Sequence, residues 1–257
     1  MADLQVHQFP CLSDNYGVLI HDAEAGVTAS IDAPEENTVL AALEETGWSL
    51  THILVTHYHA DHTQGIAGLK RRFGARVIGP AGESDKIDSL DETVDDGDVL
   101  SFGRFQIAVM STPGHTLGQV NYHIPEASLA FTGDTLFALG CGRVFEGSHA
   151  MMWTSLDKLR QALPPSTQIY CGHEYTLANA RFAVSVDGNN EALTARFKEI
   201  EALRAAGKPT LPTTMEAELA TNPFLRPDDP SIQTHLGMEG APLADVFSEI
   251  RRRKDRF

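Results

Sequence analysis

Residues 53–62 have the sequence ILVTHYHADH, in which a short apolar run leads directly into side chains that commonly bind metal ions. The run Ile53–Val55 is typical of a strand that is buried on both faces. The potential ligands that follow it are His57, His59, Asp61 and His62. This stretch therefore predicts a sheet with a metal site at one of its edges.

Three further potential ligands follow predicted strands in the same way, after a glycine or a short turn. The strands are predicted at Phe105–Val109, Leu129–Thr132 and Gln168–Cys171, and the side chains that follow them are His115, Asp134 and His173. One tetrahedral ion needs only three or four ligands, so seven ligand positions predict two divalent ions. Imidazole and carboxylate ligands suit zinc, which is the expected metal, and also iron and manganese.

The remaining apolar patterns predict an α/β layered domain followed by a helical part. Further strands are predicted at Tyr16–His21, Val27–Ile31, Arg76–Ile78 and Val120–Ile124, and helices around Val39–Leu43, His62–Phe73 and Met151–Leu163. After Glu174 the strand signals stop. Four helices are predicted there, at Tyr175–Val186, Glu191–Ala206, Met215–Ala220 and Leu243–Lys254.

Charge and cysteine content restrict the partners and the compartment. The formal net charge of −15 opposes binding to nucleic acid or to an acidic membrane surface. No apolar run approaches the roughly 18 residues of a membrane-spanning helix. The three cysteines form no CxxC pair, which suits a reducing compartment. We expect a cytoplasmic monomer that acts on a small molecule.

The ligand pattern resembles that of the metallo-β-lactamase superfamily in the motif HYHADH and in the pairs Gly114-His115, Gly133-Asp134 and Gly172-His173. Within it, the whole chain is similar to the glyoxalase II (hydroxyacylglutathione hydrolase) family. Four stretches carry the similarity to this family in particular: CGRVFEG at 141–147, CGHEYT at 171–176, NPFLR at 222–226 and the ending RRRKDRF. The resemblance implies an αββα sandwich as catalytic domain in residues 1–173 and a smaller α-helical, glutathione-binding domain in residues 174–257.

The resemblance also implies roles for the ligands and a reaction. It assigns His57, His59 and His115 to a first metal ion, Asp61, His62 and His173 to a second, and Asp134 to both. Asp61 and Asp134 are the implied catalytic residues, together with a hydroxide between the ions. The implied reaction is the hydrolysis of S-(2-hydroxyacyl)glutathione, typified by S-D-lactoylglutathione, to D-lactate and glutathione, the second step of methylglyoxal detoxification.

Substrate recognition is implied for five positions, which are Arg143, Phe145, Tyr175, Arg251 and Lys254. Some relatives have a tyrosine where this chain has Phe145, so this chain lacks a hydroxyl group that could bond glutathione. Arg251 and Lys254 are three residues apart on a predicted helix and share a face, where two cations could hold a carboxylate. A solvated basic tail is the alternative interpretation of this segment.

Other functions explain less of the pattern. A glutathione persulfide dioxygenase would use a single iron, and lactonases and β-lactamases share the hydrolytic core but leave Arg143, Tyr175 and Arg251 unexplained. A nuclease would need a basic surface, and a scaffold protein without catalysis would not need the complete ligand set. Asp32, which follows the strand Val27–Ile31, is interpreted as a turn or cap residue in preference to a partner of a ligand histidine.

Overall fold

The computed structural model describes residues 4–257, so the first three residues of the predicted catalytic domain lie outside the described residues. Contacts within the chain divide it into two compact units. The first unit contains the chain up to Ser111 together with Leu117–Gly133. The second contains Thr112–Thr116 together with Asp134–Phe257.

The first unit contains a complete six-stranded sheet. Its strands, in spatial order, are β1 (Gln5–Cys11), β2 (Asn15–Asp22), β3 (Val27–Ile31), β4 (His52–Leu54), β5 (Arg76–Pro80) and β6 (Glu92–Val94). The pairs β1–β2 and β2–β3 are antiparallel, whereas the pairs from β3 to β6 are parallel. Parallel neighbours need crossover connections, and helices supply the first two: α1 (Glu36–Thr46), then α2 (Ala60–Thr63) with α3 (Ile66–Phe73).

The same unit contains four antiparallel strands of a second sheet. These are β7 (Val99–Phe102), β8 (Phe105–Ser111), β9 (Val120–Ile124) and β10 (Leu129–Gly133). Two hydrogen bonds join this sheet to the end of β4. The hydroxyl of Tyr122 donates to the carbonyl of Val55 at 2.7 Å, and the Val120 N–H donates to the carbonyl of Thr56 at 3.0 Å. The segment that carries the histidine motif is therefore fixed from both sheets.

The second unit is mainly helical. Its elements are β11 (Leu136–Phe137), β12 (Gly140–Cys141), α4 (His149–Ala162), β13 (Gln168–Cys171), α5 (Thr176–Val186), α6 (Glu191–Ala205), β14 (Thr213–Thr214), α7 (Met215–Thr221), α8 (Pro230–Leu236) and α9 (Leu243–Asp255). Short 3₁₀ turns lie at Ala81–Glu83 in the first unit, at Pro125–Ala127 in the first unit and at Pro223–Leu225 in the second. Phe182, Phe224 and Phe247 form a buried aromatic row, with neighbouring ring centroids 5.8 and 5.9 Å apart.

Two predicted elements are corrected by the structure. In place of the single helix predicted at His62–Phe73, the structure has two helices, α2 and α3. The break occurs because Gly65 packs against the loop between β3 and α1. Its N–H donates to the carbonyl of Ala33 at 2.9 Å, and a Cβ at this position would lie 2.9 Å from the same oxygen. Strands also do not stop after Glu174, since Thr213–Thr214 pairs antiparallel with β13. The patterns of the sequence also failed to predict β1, β6, β7, β11, β12 and α8.

Within residues 4–257, no helix has both the length and the apolar character that a membrane crossing would require. Cys11, Cys141 and Cys171 are all buried, and none is part of a disulfide. Burial raises the pKa of each thiol, to about 11 for Cys141 and about 12 for Cys171.

A buried carboxylate joins two turns of the first unit. Asp22 is 0% exposed, and its Oδ1 accepts hydrogen bonds from Nε and Nη2 of Arg104 at 3.0 and 2.7 Å. Its Oδ2 accepts from the Arg104 main-chain N–H at 2.9 Å. These hydrogen bonds hold the pKa of Asp22 well below its usual range. The ionised carboxylate therefore stabilises the connection between the β2–β3 and β7–β8 turns.

We expect Asp22→Ala to lower the equilibrium constant for folding by at least about tenfold, since hydrogen bonds to a charged group are lost. Because folding lowers the pKa of Asp22, this stabilisation is complete above the unfolded pKa of about 3.9 and is lost as the pH falls below it. Urea unfolding at neutral and acidic pH measures both effects. Glu24→Ala, which removes the exposed partner of Arg104, is the control. Equal losses in the two variants would contradict this account.

Candidate metal centre

In the first unit, the predicted ligands follow β4 directly, and Asp32 follows the neighbouring β3. The carboxylate of Asp32 bonds three groups of the histidine motif. Its Oδ1 accepts from the Thr56 N–H at 2.7 Å, and its Oδ2 accepts from the Thr56 hydroxyl at 2.9 Å. Oδ2 also lies 2.7 Å from Nδ1 of His62. The interpretation of Asp32 as a turn or cap residue was therefore wrong, because its carboxylate contacts His62, a candidate ligand.

These contacts determine which ring nitrogen of two histidines carries a proton. A carboxylate can only accept, so His62 has its proton on Nδ1 and a lone pair on Nε2. The Thr56 hydroxyl gives its proton to Asp32 and therefore accepts from Nδ1 of His57, at 3.0 Å. His57 thus also presents the lone pair of Nε2. Asp32 prepares both imidazoles to bind a metal ion.

The spacing between ligand atoms in this unit suits a shared ion. Nε2 of His57 lies 3.1 Å from Nδ1 of His59. Two nitrogen ligands at about 2.0–2.1 Å from a tetrahedral zinc ion are roughly 3.3 Å apart. A second pair consists of Nε2 of His62 and Oδ2 of Asp61, which are 3.6 Å apart. Both pairs have room for a metal ion, without a large rearrangement of the side chains.

Two buried residues that the sequence analysis missed support this loop. Asn15 donates from Nδ2 to Oδ2 of Asp61 at 3.1 Å and to its carbonyl at 3.2 Å. Glu83 accepts from the N–H of Tyr58 at 2.8 Å and from the N–H of Gly118 at 3.1 Å. Neither residue lies in a recognisable motif, because each acts through main-chain or side-chain contacts made only in the folded chain.

In the second unit, one carboxylate oxygen lies between two imidazoles. Oδ2 of Asp134 is 3.5 Å from Nε2 of His115 and 3.3 Å from Nε2 of His173. Nδ1 of His115 donates to the carbonyl of Arg143 at 2.8 Å, so its Nε2 also carries the lone pair. All three side chains are buried. An oxygen in this position suits a ligand that bridges two ions.

Gly142 allows the close approach of the chain segments around Asp134. A Cβ at position 142 would lie 2.0 Å from the carbonyl oxygen of Asp134 and 3.2 Å from Nδ1 of His115. Its N–H donates to the carbonyl of Thr135 at 3.2 Å. Gly142, the first glycine of the CGRVFEG stretch, is therefore required because a side chain there would clash with Asp134 and crowd His115.

Among residues 4–257, the groups of side chains suited to a metal ion comprise the seven predicted ligands, His57, His59, Asp61, His62, His115, Asp134 and His173. The donor atoms are imidazole nitrogens and carboxylate oxygens, without a thiolate. This set fits zinc, iron or manganese. The oriented N–H groups of His57, His62 and His115 add the outer hydrogen bonds that metal-binding histidines usually have.

Three of the predicted substrate residues are accessible. Arg143 is exposed. Phe145 is 63% exposed and has its ring 5.2 Å from that of His115. Tyr175 is 38% exposed and stacks on His173, with the ring centroids 4.8 Å apart and the planes 2° apart. The rings of Phe145 and Tyr175 therefore lie beside candidate metal ligands of the second unit.

The two predicted substrate cations of α9 are placed differently. Arg251 is only 3% exposed, and it donates to the carbonyl of Cys141 at 3.0 Å and to Oδ1 of Asp255 at 2.9 Å. The ammonium of Lys254 donates to the carbonyl of Ala178 at 3.1 Å. Burial, followed by the nearby charges of Arg251 and Arg143, lowers the pKa of Lys254 to about 8. Lys254 is half-buried, so its ammonium is the more accessible cation of the pair.

Comparison with known families agrees with this arrangement. The metallo-β-lactamase superfamily matches residues 23–173, and the family described as hydroxyacylglutathione hydrolase C-terminus matches residues 174–257. The crystal structure of ETHE1 from Myxococcus xanthus has a TM-score of 0.68 and 25% sequence identity, and the match covers 96% of each chain. The predicted fold class is confirmed: an α/β sandwich of the metallo-β-lactamase type is followed by a C-terminal helical region.

Two relatives of similar length identify the family within this superfamily. A hydroxyacylglutathione hydrolase of Mesorhizobium japonicum is 58% identical over 254 residues, which are 99% of this chain and 99% of that protein. A hydroxyacylglutathione hydrolase of Brucella ovis is 55% identical over 254 residues, 99% of this chain and 98% of that protein. The chain belongs to the hydroxyacylglutathione hydrolase family, as its sequence motifs predict.

We expect Asp32→Asn to weaken metal binding by about 10- to 100-fold, because an amide has one oxygen and cannot replace both Oδ1, which accepts from the Thr56 N–H, and Oδ2, which accepts from the Thr56 hydroxyl and from His62. The measurement is the metal retained per chain as a competing chelator is added. Asp85→Asn, at an exposed carboxylate of the same unit, is the control and should retain metal like the unchanged protein. Equal retention in the two variants would show that Asp32 does not orient the ligands.

Proposed function

We propose that this chain is a two-metal thioester hydrolase that converts S-(2-hydroxyacyl)glutathione, typified by S-D-lactoylglutathione, to a 2-hydroxy acid and glutathione. The observation that carries the proposal is its full-length similarity to proteins named hydroxyacylglutathione hydrolase, at 58% and 55% identity. The candidate metal ligands support the hydrolytic chemistry. The product of the typical substrate is D-lactate, so we place the reaction as the second step of methylglyoxal detoxification.

We assign the ligands of the first ion to His57, His59 and His115, those of the second to Asp61, His62 and His173, and the bridging position to Asp134. The assignment is supported by the distances within each unit and by the oriented lone pairs of the histidines. Zinc is the occupant that we propose, because imidazole and carboxylate ligands without thiolate are common at catalytic zinc sites. Iron and manganese fit the same donors.

The chain contributes position and charge to the reaction. Two bound divalent ions would supply hydroxide at neutral pH and polarise the thioester carbonyl. Asp134 and Asp61 are the proposed catalytic residues, since their carboxylates hold the reacting centre and balance part of its positive charge. The carbon–oxygen bond forms first and turns the thioester carbonyl into a tetrahedral oxyanion, and the carbon–sulfur bond then breaks as the carbonyl re-forms. The thiolate that leaves is the conjugate base of a thiol with a pKa of roughly 8.5. The leaving thiolate therefore needs no side chain to protonate it, and no residue is assigned as a proton donor.

We propose that Arg143, Phe145, Tyr175, Arg251 and Lys254 bind the glutathione part of the substrate. Arg143 is exposed and Lys254 is half-buried, and these two cations of the second unit could contact its carboxylates. The buried Arg251 would act mainly by supporting its neighbours, since its donors bond Cys141 and Asp255. In this proposal, residues 1–173 are the catalytic domain and residues 174–257 the glutathione-binding domain of a cytoplasmic monomer.

The decisive experiment measures thioester loss from S-D-lactoylglutathione and the metal content of the same sample. We expect rapid hydrolysis with about two ions per chain, and loss of activity on chelation. Two bound ions without thioesterase activity would overturn the substrate assignment. Consumption of oxygen with glutathione persulfide and a single iron would favour the alternative dioxygenase.

We expect Asp134→Ala to lower kcat by at least about 100-fold, because the bridging carboxylate is lost. Metal analysis of the same protein shows whether the loss follows from missing ions or from their arrangement. Asp85→Ala is the matched control at an exposed position and should keep full activity. Normal turnover by Asp134→Ala with its full metal content would overturn the bridging assignment.

Lys254 gives a prediction for the pH dependence of substrate binding. Its pKa is lowered to about 8, with Arg251 and Arg143 adding to the effect of burial and with Cys141 and Asp255 opposing it. Its positive charge is therefore lost as the pH rises through about 8, so KM should increase there. At neutral pH, we expect Lys254→Ala to raise KM about tenfold, because a charged hydrogen bond is lost. As the pH rises through about 8, KM of this variant should not increase further, because the variant has no ammonium to lose.

Lys254→Arg is the matched control, because arginine keeps its charge throughout this pH range. Its KM should therefore stay low as the pH rises. The measurement is KM for the glutathione thioester across this pH range, with kcat recorded separately. The same pH dependence of KM in the unchanged protein and in Lys254→Ala would exclude Lys254 as the responsible group.

A further inference from the structure

Residues 136–141 form a small hairpin, called here the 136–141 hairpin, in which β11 pairs with β12. It connects Asp134, a proposed metal ligand, to Arg143, a proposed substrate contact. The hairpin is entirely buried, and Leu139 at its turn has a φ of 56°, in the left-handed region that disfavours side chains with a Cβ. A buried turn of this kind depends on its surroundings, because its main-chain groups need partners other than water.

Asn222 supplies partners for two of these main-chain groups. It is 0% exposed, and its Nδ2 donates to the carbonyls of Phe137 at 3.2 Å and Gly140 at 3.0 Å. The same amide nitrogen lies 2.9 Å from Oε2 of Glu218. The Oδ1 atom of Asn222 accepts from the N–H of Phe224 at 3.0 Å, which fixes the orientation of the amide.

Other side chains from the C-terminal helical region bond further main-chain groups of the hairpin. The N–H of Leu139 donates to Glu218, Asn179 donates to the carbonyl of Ala138, and Arg251 donates to the carbonyl of Cys141, at 2.8, 3.1 and 3.0 Å. Glu218 is itself buried, is paired with Arg196 and accepts from the hydroxyl of Thr213 at 2.7 Å. An ionised carboxylate held in this way is a strong acceptor for the turn.

We propose that Asn222, Glu218 and Asn179 are positioning residues that keep Asp134 and Arg143 in place by fixing the 136–141 hairpin. The inference rests on the proposed metal centre, in which Asp134 is a ligand. Asn222 begins the NPFLR stretch, and these contacts give that stretch a physical role. The C-terminal helical region thus acts on the metal centre as well as on glutathione.

The test compares two asparagine-to-aspartate variants. Asn222→Asp removes the donating amide but keeps the oxygen that accepts from Phe224. The matched control is Asn190→Asp, because Asn190 donates to the carbonyl of Ala220 at 2.9 Å and lies beside Asp187, as Asn222 lies beside Glu218. Asn222→Asp removes two main-chain contacts and Asn190→Asp removes one, and each change places two carboxylates together, but only Asn222→Asp affects the hairpin.

Metal retention is measured with zinc-loaded protein and increasing chelator, in the absence of substrate. We expect Asn222→Asp to lose its zinc at a chelator concentration about 10- to 100-fold lower, with a lower kcat and a higher KM for the thioester. Asn190→Asp should stay within about twofold of the unchanged protein in all three quantities. Thermal unfolding of the zinc-free proteins should show a larger loss of stability in Asn222→Asp, because its new carboxylate is fully buried beside Glu218, whereas Asn190 is half-buried. Zinc retention is therefore compared at a temperature at which both variants are folded.

Zinc retention and kcat in Asn222→Asp that match those of Asn190→Asp would overturn the inference. If Asn222→Asp does not fold, Asn179→Ala, which removes only the bond to Ala138, decides the question. Zinc retention a few-fold weaker would support the inference, and unchanged retention would overturn it. Because retention is measured without substrate, an unchanged protein that binds zinc but leaves the thioester intact would overturn the proposed function alone.

Discussion

The hydrogen bonds of the Asp32 carboxylate are the constraint on which the candidate centre of the first unit depends. Because this carboxylate only accepts, it fixes the proton of His62 directly and that of His57 through the Thr56 hydroxyl. It also accepts from the Thr56 N–H, so it holds the main chain at the point where the strand becomes the ligand loop. Loop conformation and ligand orientation therefore depend on one buried charge.

In the second unit, main-chain groups orient the candidate ligand side chains. The carbonyl of Arg143 orients His115, and the absence of a side chain at Gly142 lets that segment approach Asp134. Since the segment follows a buried hairpin, its position depends on the helices that bond the hairpin turn. In the proposed arrangement, a change in those helices would alter the position of the candidate ligands through the main chain, without direct contact with the reacting groups.

The sequence points to the candidate ligands because each follows a strongly apolar strand, and the stretch from His57 to His62 contains four side chains that commonly bind metal ions. In the structure these side chains belong to groups that could hold a metal ion. The sequence predicted the wrong role for Asp32, because a lone carboxylate after a strand has several common roles. It also missed Asn15 and Glu83, whose partners lie far away along the chain. The helix break at Gly65 was missed for the same reason, since it follows from contact with Ala33.

The buried cysteines have a consequence for the chemical durability of the protein. With pKa values raised to about 11 and about 12, Cys141 and Cys171 are almost entirely protonated at neutral pH. The thiolate is the form that attacks electrophiles and exchanges with disulfides, and it is nearly absent here. Electrophiles and disulfides should therefore react with these two positions far more slowly than with an exposed thiol of ordinary pKa. Burial of Cys141 and Cys171 thus disfavours inactivation of the protein through these thiols.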